Sequence, residues 1–345
     1  MPPHKLLQRS LNLLTDRIHT LPVLVLFPHS RCNCRCVMCD IWKNNGQIHQ
    51  ISVNEVRAWV NQFQQLGVRW VMLSGGEALM HSDMFALCRV LRNENIRVTV
   101  HSTGLLLKKY SRRIVEDCTD VIVSLDGSKA VHDQIRNIPR AFEHLVEGVS
   151  AVKSLAPDFR VTGRCVLQKL NYTDLGGIID AAGEIGLDQI SFLGADVSSQ
   201  AFNRPEPWDR DQMQLIALDP DDVIAFRSIV QQVIADRADA FSTRFIVESP
   251  EKLTRIVDYY AALNGDADFP TVTCNAPWVS SVVEADGTVR PCFFHKPFGN
   301  IYDMPLDAIL NSDDAIRFRK GLDVTKDSTC RRCVCTLNMN PIAKV

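Results

Sequence analysis

The sequence predicts an α/β fold built on a parallel sheet, on three observations. Short, β-branched apolar runs recur six times between residues 21 and 194, helical stretches separate them, and the residue types that carry chemistry follow the runs. Strands alternating with helices imply right-handed crossovers and therefore parallel pairing. Periodicity leaves open whether the sheet is doubly wound or curls into a barrel. In either case functional residues belong at the C-terminal ends of the strands.

An N-terminal helix within 1–20 leads into a core over 21–195. Its first strand is LPVLVLF (21–27). A helix over 54–66 is expected, with Asn54 as N-cap and Gly67 as stop. The second strand is VRWVMLS (68–74), followed by a helix at 82–93 and a strand at 96–102. A short helix near 111–117, a strand at 120–126, a helix at 140–154 and a strand at 159–168 come next. Helix 173–185 and strand 187–194 complete the series. The Pro-rich, charged stretch SSQAFNRPEPWDRDQ opens a connecting region, 196–270, with helices at 220–237 and 250–263. From 271 to 345 the pattern becomes a hairpin turning at Asp286-Gly287, two short helices and a cysteine knuckle.

Composition excludes several functions. Hydrophobic residues make up 46% and charged residues 23%, and the net charge is −2. That is a well-packed chain with no bulk field to attract nucleic acid or an anionic membrane. The apolar run Leu21–Phe27 is far short of the ~20 residues a spanning helix needs, and the N-terminus lacks a signal core. The chain is read as cytoplasmic. Its twelve cysteines then indicate metal or redox chemistry rather than disulfides. Four of them, Cys32, Cys34, Cys36 and Cys39, stand near the front. Another five, Cys274, Cys292, Cys330, Cys333 and Cys335, stand near the end, with Cys88, Cys118 and Cys165 scattered between.

Cys32, Cys36 and Cys39 form a C-x3-C-x2-C loop, and three soft thiolates on such a loop suit an Fe–S centre or zinc. Cys34, squeezed between Cys32 and Cys36, is cramped as a fourth ligand. A three-cysteine set leaves one metal position open, unlike a closed structural zinc site. Set after the first strand, and joined by Gly75-Gly76-Glu77 after the second, the loop resembles that of the radical S-adenosylmethionine (radical SAM) superfamily over roughly residues 20–340. The resemblance implies a partial (β/α)6 barrel and a [4Fe–4S] cluster on Cys32, Cys36 and Cys39. It implies that the open iron binds S-adenosylmethionine, whose reductive cleavage gives a 5′-deoxyadenosyl radical. Gly75, Gly76 and Glu77 are then expected to hold the cofactor's ammonium group. The segment Ser124-Leu-Asp126-Gly127, followed by His132-Asp133 and Arg136, is similar to the family's fourth-strand segment. Ser124 is a candidate for the ribose, Arg136 for the carboxylate, and Asp126 belongs to the same cofactor-binding set. Met38 precedes the third cysteine where many members carry an aromatic residue.

By ligand count, Cys274, Cys292, Cys330 and Cys333 could close a zinc site or a second Fe–S cluster. Their spacing resembles the SPASM and twitch extensions of the family. With five cysteines after residue 270 the seven-cysteine long form cannot be complete, and the shorter twitch form matches better, implying one auxiliary [4Fe–4S] cluster with Cys335 spare. Hydrogen abstraction from a small molecule is expected, leading to oxidation or epimerisation, with an electron donor such as flavodoxin or ferredoxin. Alternatives are a peptide-modifying enzyme, weighed down by the short lead before the first strand, and a non-catalytic redox sensor. Arg164, Gln168, Asp196 and Arg204 could face the pocket. His101 and His295 read more readily as structural groups, and no catalytic base is assigned. Cys335 or Cys34 could return a hydrogen atom in an epimerisation.

Overall fold

The computed structural model describes residues 3–340. All six expected strands form: β1 (Val23–His29), β2 (Trp70–Gly75), β3 (Arg97–Ser102), β4 (Asp120–Ser124), β5 (Val161–Leu167) and β6 (Gln189–Gly194). They pair in parallel in sequence order, as successive right-handed crossovers require. This is the partial (β/α)6 barrel.

Because side chains alternate along a strand, each strand has two jobs. Leu24, Leu26, Val71, Leu73, Val98, Val100, Val121 and Val123 are fully buried in the layer beneath the helices. Val25, Phe27, Met72, Ser74, His101, Arg164 and Val166 point the other way, into a cavity on the concave face.

The C-terminal hairpin extends this sheet. β7 (Ser280–Val283) pairs in parallel with β1, and β8 (Thr288–Arg290) and β9 (Gly299–Asn300) follow antiparallel. The hairpin turn falls at the expected place, with Gly287 at φ +86°. The N-terminal helix Pro3–Thr15 is tied to the same region. The buried Asn12 amide donates to the Thr20 carbonyl at 2.6 Å and the Trp278 carbonyl at 2.7 Å.

Two local expectations change. The helix at Val53–Gln65 is capped by Ser52, not Asn54. The Ser52 hydroxyl accepts from the Glu55 N–H at 3.2 Å while the Glu55 carboxylate accepts from the Ser52 N–H at 2.5 Å. This reciprocal capping box satisfies two orphan donors at once. Helices at Lys129–Arg136, Arg210–Ile216 and Ala238–Ser242 were not expected. The first carries Arg136 to the cavity.

Helix Pro250–Asn264 clamps the open edge of the barrel. The buried Tyr260 hydroxyl accepts from the Ala195 N–H at 2.8 Å and donates to the Leu167 carbonyl, joining the ends of β5 and β6. Tyr260→Phe strands both backbone groups. It is expected to cost about 1–3 kcal/mol, read as a lower midpoint in anaerobic urea denaturation.

Candidate active site

A cavity of about 390 Å³ lies at the C-terminal ends of the barrel strands. Cys32, Cys36 and Cys39 border it, and so do Cys274, Cys292, Cys330, Cys333 and Cys335. Two cysteine sets more than 230 positions apart in sequence therefore face one chamber. β7 brings them together by laying the C-terminal hairpin beside β1.

The front loop is held from several sides. Arg35 and Val37 donate their N–H groups to the carbonyls of Arg136 and Ile135, both at 3.1 Å. Asn45 brackets Cys32, accepting from its N–H at 3.0 Å and donating to its carbonyl at 2.8 Å. The Glu77 N–H donates to the Arg31 carbonyl at 2.8 Å. Gly76 has to be glycine, because a Cβ there would stand 2.1 Å from the Arg31 carbonyl oxygen. Gly75 is at φ +100°, in the left-handed region that favours glycine.

Not every expected cofactor residue reaches the cavity. Gly75, Gly76, Ser124 and Arg136 border it, but Glu77 and Asp126 do not. Glu77 is fully buried, and its carboxylate accepts from the Thr103 N–H at 2.6 Å, the Ser102 hydroxyl at 2.9 Å and the Leu79 N–H at 3.0 Å. It pins the β2 and β3 loops together. Burial pushes its carboxyl upward in pKa, and these donors pull it back.

Asp126 is likewise fully buried. It forms an ion pair with Arg136 and accepts from the Val166 N–H at 2.9 Å. Its place is to aim Arg136, whose guanidinium donates to Cys36 Sγ at 3.4 Å. Cys36 is lowered in pKa by a hydrogen bond from Cys34 and by Arg136, whereas burial raises Cys32 to about 12 and also raises Cys39. Cys34 is buried with Met38, Val197 and Trp208 and does not border the cavity.

Of the other candidates, Asp196 borders the cavity but pairs with the buried Arg204 at 2.9 Å. Arg204 also donates to the Met38 carbonyl at 3.2 Å and stacks on Trp208, whose indole N–H reaches Asp40 at 3.0 Å. Residues 196–208 thus strap the cysteine loop from outside. Gln168 is fully buried away from the cavity. His101 and Arg164 do face the cavity.

In the rear set, His295 Nε2 lies 3.3 Å from Cys330 Sγ, and the Cys330 N–H donates to the Asp327 carboxylate at 2.9 Å. Sequence reasoning passed over this contact, because a lone histidine after a strand carries no signal by itself. Burial raises Cys292 to about 11 and also raises Cys330 and Cys333, with Cys274 and other rear thiols adding to each shift.

All the cysteines are free thiols, a donor set that fits Fe–S ligation. Among the described residues, the trio whose ligand atoms gather within 4.8 Å is His295, Asp327 and Cys330, not any set of thiols. Thiolates around a single zinc ion at about 2.3 Å would stand about 3.8 Å apart.

Residues 26–182 match the family model described as the radical SAM superfamily, and residues 274–334 the SPASM model, described as an iron–sulfur cluster-binding domain. The chain belongs to the radical SAM superfamily and is a radical SAM enzyme with a SPASM domain. These domains imply a SAM-binding [4Fe–4S] cluster, S-adenosylmethionine and auxiliary Fe–S ligation.

The chain is 23% identical over 333 residues to Fe-coproporphyrin III synthase of Methanosarcina barkeri, covering 90% of this chain and 80% of that one. It is 22% identical over 289 residues to the subtilosin biosynthesis protein AlbA of Bacillus subtilis, covering 82% of this chain and 58% of that one. Streptococcus suis SuiB, solved with its precursor peptide SuiA, superimposes with a TM-score of 0.67 over 94% of this chain and 73% of that one. At 15% identity this is a likeness of fold. No helix among the described residues is long and apolar enough to cross a membrane.

Two substitutions probe the site's scaffold. Gly76→Ala is expected to displace the cysteine loop and cut iron incorporation by at least half, measured by iron and acid-labile sulfide assay. Asp126→Asn leaves Arg136 buried without its counter-charge and is expected to cost about 3–5 kcal/mol, seen as a lower melting temperature.

Proposed function

We propose that this enzyme oxidises a small molecule held between two iron–sulfur clusters. The observation that carries the reading is the single cavity bordered by both cysteine sets. Cys32, Cys36 and Cys39 would hold the SAM-binding cluster in the core, 21–195. Cys274, Cys292, Cys330 and Cys333 would hold an auxiliary cluster in 271–345, with 196–270 as the connector. When bound, the front cluster would supply the electron for reductive cleavage of S-adenosylmethionine, and the auxiliary cluster would supply an electron acceptor.

The chain's own residues bind and shield. The backbone at Gly75 and Gly76 is open to the cofactor's ammonium group, Ser124 to its ribose hydroxyls, and Arg136 to its carboxylate through a planar fork of donors. Asp126 fixes the orientation of that fork, and Glu77 fixes the loop beside it. Apolar walls from Val25, Phe27, Met72, Val166 and Leu193 keep water from a reactive radical.

Loss of a hydrogen atom from substrate leaves one electron to remove, and the rear cysteines border the chamber where that radical would form. The relative matched along 90% of this chain is named for a porphyrin product, which favours a small molecule over a peptide and makes porphyrins the first substrates to try. Epimerisation is the second reading. It is favoured by Cys335, which borders the cavity and could return a hydrogen atom, whereas Cys34 does not border it. A cytoplasmic flavodoxin or ferredoxin would deliver the electron.

Anaerobically reconstituted protein is expected to bind about eight iron atoms as two cubane clusters and to form 5′-deoxyadenosine from S-adenosylmethionine and dithionite. Cys36→Ser should abolish that product. Cys292→Ser should keep it while losing oxidised substrate. A chain that binds both clusters yet forms no 5′-deoxyadenosine would instead be a redox sensor.

A further inference from the structure

We propose that Arg164 anchors a carboxylate of the substrate, which is therefore an acid with an apolar body. This rests on the reading of the cavity as the substrate chamber. Arg164 stands on β5 between Ser124 of β4 and Ser191 of β6, and it borders the chamber. Its Nε donates to the Ser191 hydroxyl at 3.3 Å, and among the described residues no carboxylate oxygen lies within 4.0 Å of its guanidinium.

The other charges at the chamber are already matched. Arg136 has Asp126, and Asp196 has Arg204. Glu248, the acidic group that feels Arg164, accepts from the Phe192 N–H at 2.7 Å and pairs with Lys252 at 3.6 Å. The neighbouring imidazole supplies no counter-charge either. His101 is held neutral, its pKa driven to about 3 by burial first and then by Arg164 and Arg136.

Half-buried on the chamber wall with no carboxylate in ion-pair reach, the Arg164 guanidinium is available to an anion that enters. A guanidinium offers two parallel donors to both oxygens of a carboxylate. Val166 on the same strand, with Met72 and Leu193 nearby, lines the chamber with apolar surface. The ligand that suits both features is apolar with one acidic group at the barrel floor.

A carboxylate could come from substrate or from S-adenosylmethionine, and the test separates the two. Isothermal titration of the anaerobic holoenzyme with 1-pyrenebutyrate and its uncharged counterpart 1-pyrenebutanol isolates the charge. Wild type is expected to bind the acid at least tenfold tighter than the alcohol in the presence of S-adenosylmethionine. Arg164→Gln should erase that preference without changing alcohol binding or iron content, and Arg164→Lys should restore part of it.

Equal or absent binding of the two probes by wild type, or an undiminished preference in Arg164→Gln, overturns the proposal. So does a tenfold loss of S-adenosylmethionine affinity in Arg164→Gln, read from the cluster's electron paramagnetic resonance signal, since Arg164 would then serve the cofactor. Neither binding measurement needs turnover, so failure to form 5′-deoxyadenosine would count against the enzymatic reading and leave this one standing.

Discussion

The buried ion pair between Asp126 and Arg136 is the contact on which the site depends. Asp126 leaves the end of β4, accepts from the Val166 N–H of β5, and takes the Asn171 amide on its carbonyl at 2.8 Å. Arg136 ends a helix whose last carbonyls receive the N–H groups of Arg35 and Val37. One carboxylate thus links two strands, a helix and the cysteine loop. A buried pair of this kind adds little net stability against an apolar alternative, because desolvation cancels much of the attraction. What it gives is direction, since a guanidinium held by Asp126 points at Cys36.

Most of the fold was legible in the sequence because it follows from alternation. β-branched runs separated by amphipathic helices leave few topologies once crossovers are right-handed. The metal-ligand pattern was legible for a different reason, since cysteine spacing is a local property. The partners of Glu77 and Asp126 were not legible. A sequence does not mark which donors a buried carboxylate will meet when they lie far along the chain, as Ser102, Thr103 and Val166 do. Asn54 misled as a cap because Ser52 and Glu55, one box earlier, satisfy two donors where Asn54 could satisfy one. The helix at Lys129–Arg136 is too short for periodicity to register.

Joining the C-terminal hairpin to the sheet changes the meaning of the rear cysteines. Read along the chain they form a separate knuckle. With β7 paired to β1 they become a wall of the chamber, set by the same hydrogen-bonded register that positions the front loop. Cys274 and Cys292 flank the two hairpin strands, and Cys330, Cys333 and Cys335 reach the same wall from the later segment after residue 327.

The strap of residues 196–208 has a bearing on how the protein acquires its iron. Trp208 and Arg204 grip Asp40 and Met38 from outside, while Asn45 and the Arg136 helix grip the same loop from within. In small zinc domains the metal creates the fold that binds it. Here many protein contacts hold the same loop, so the cluster would not have to order the chain by itself. Losing Trp208 or Asn45 alone would then still leave one of the two grips on the loop in place.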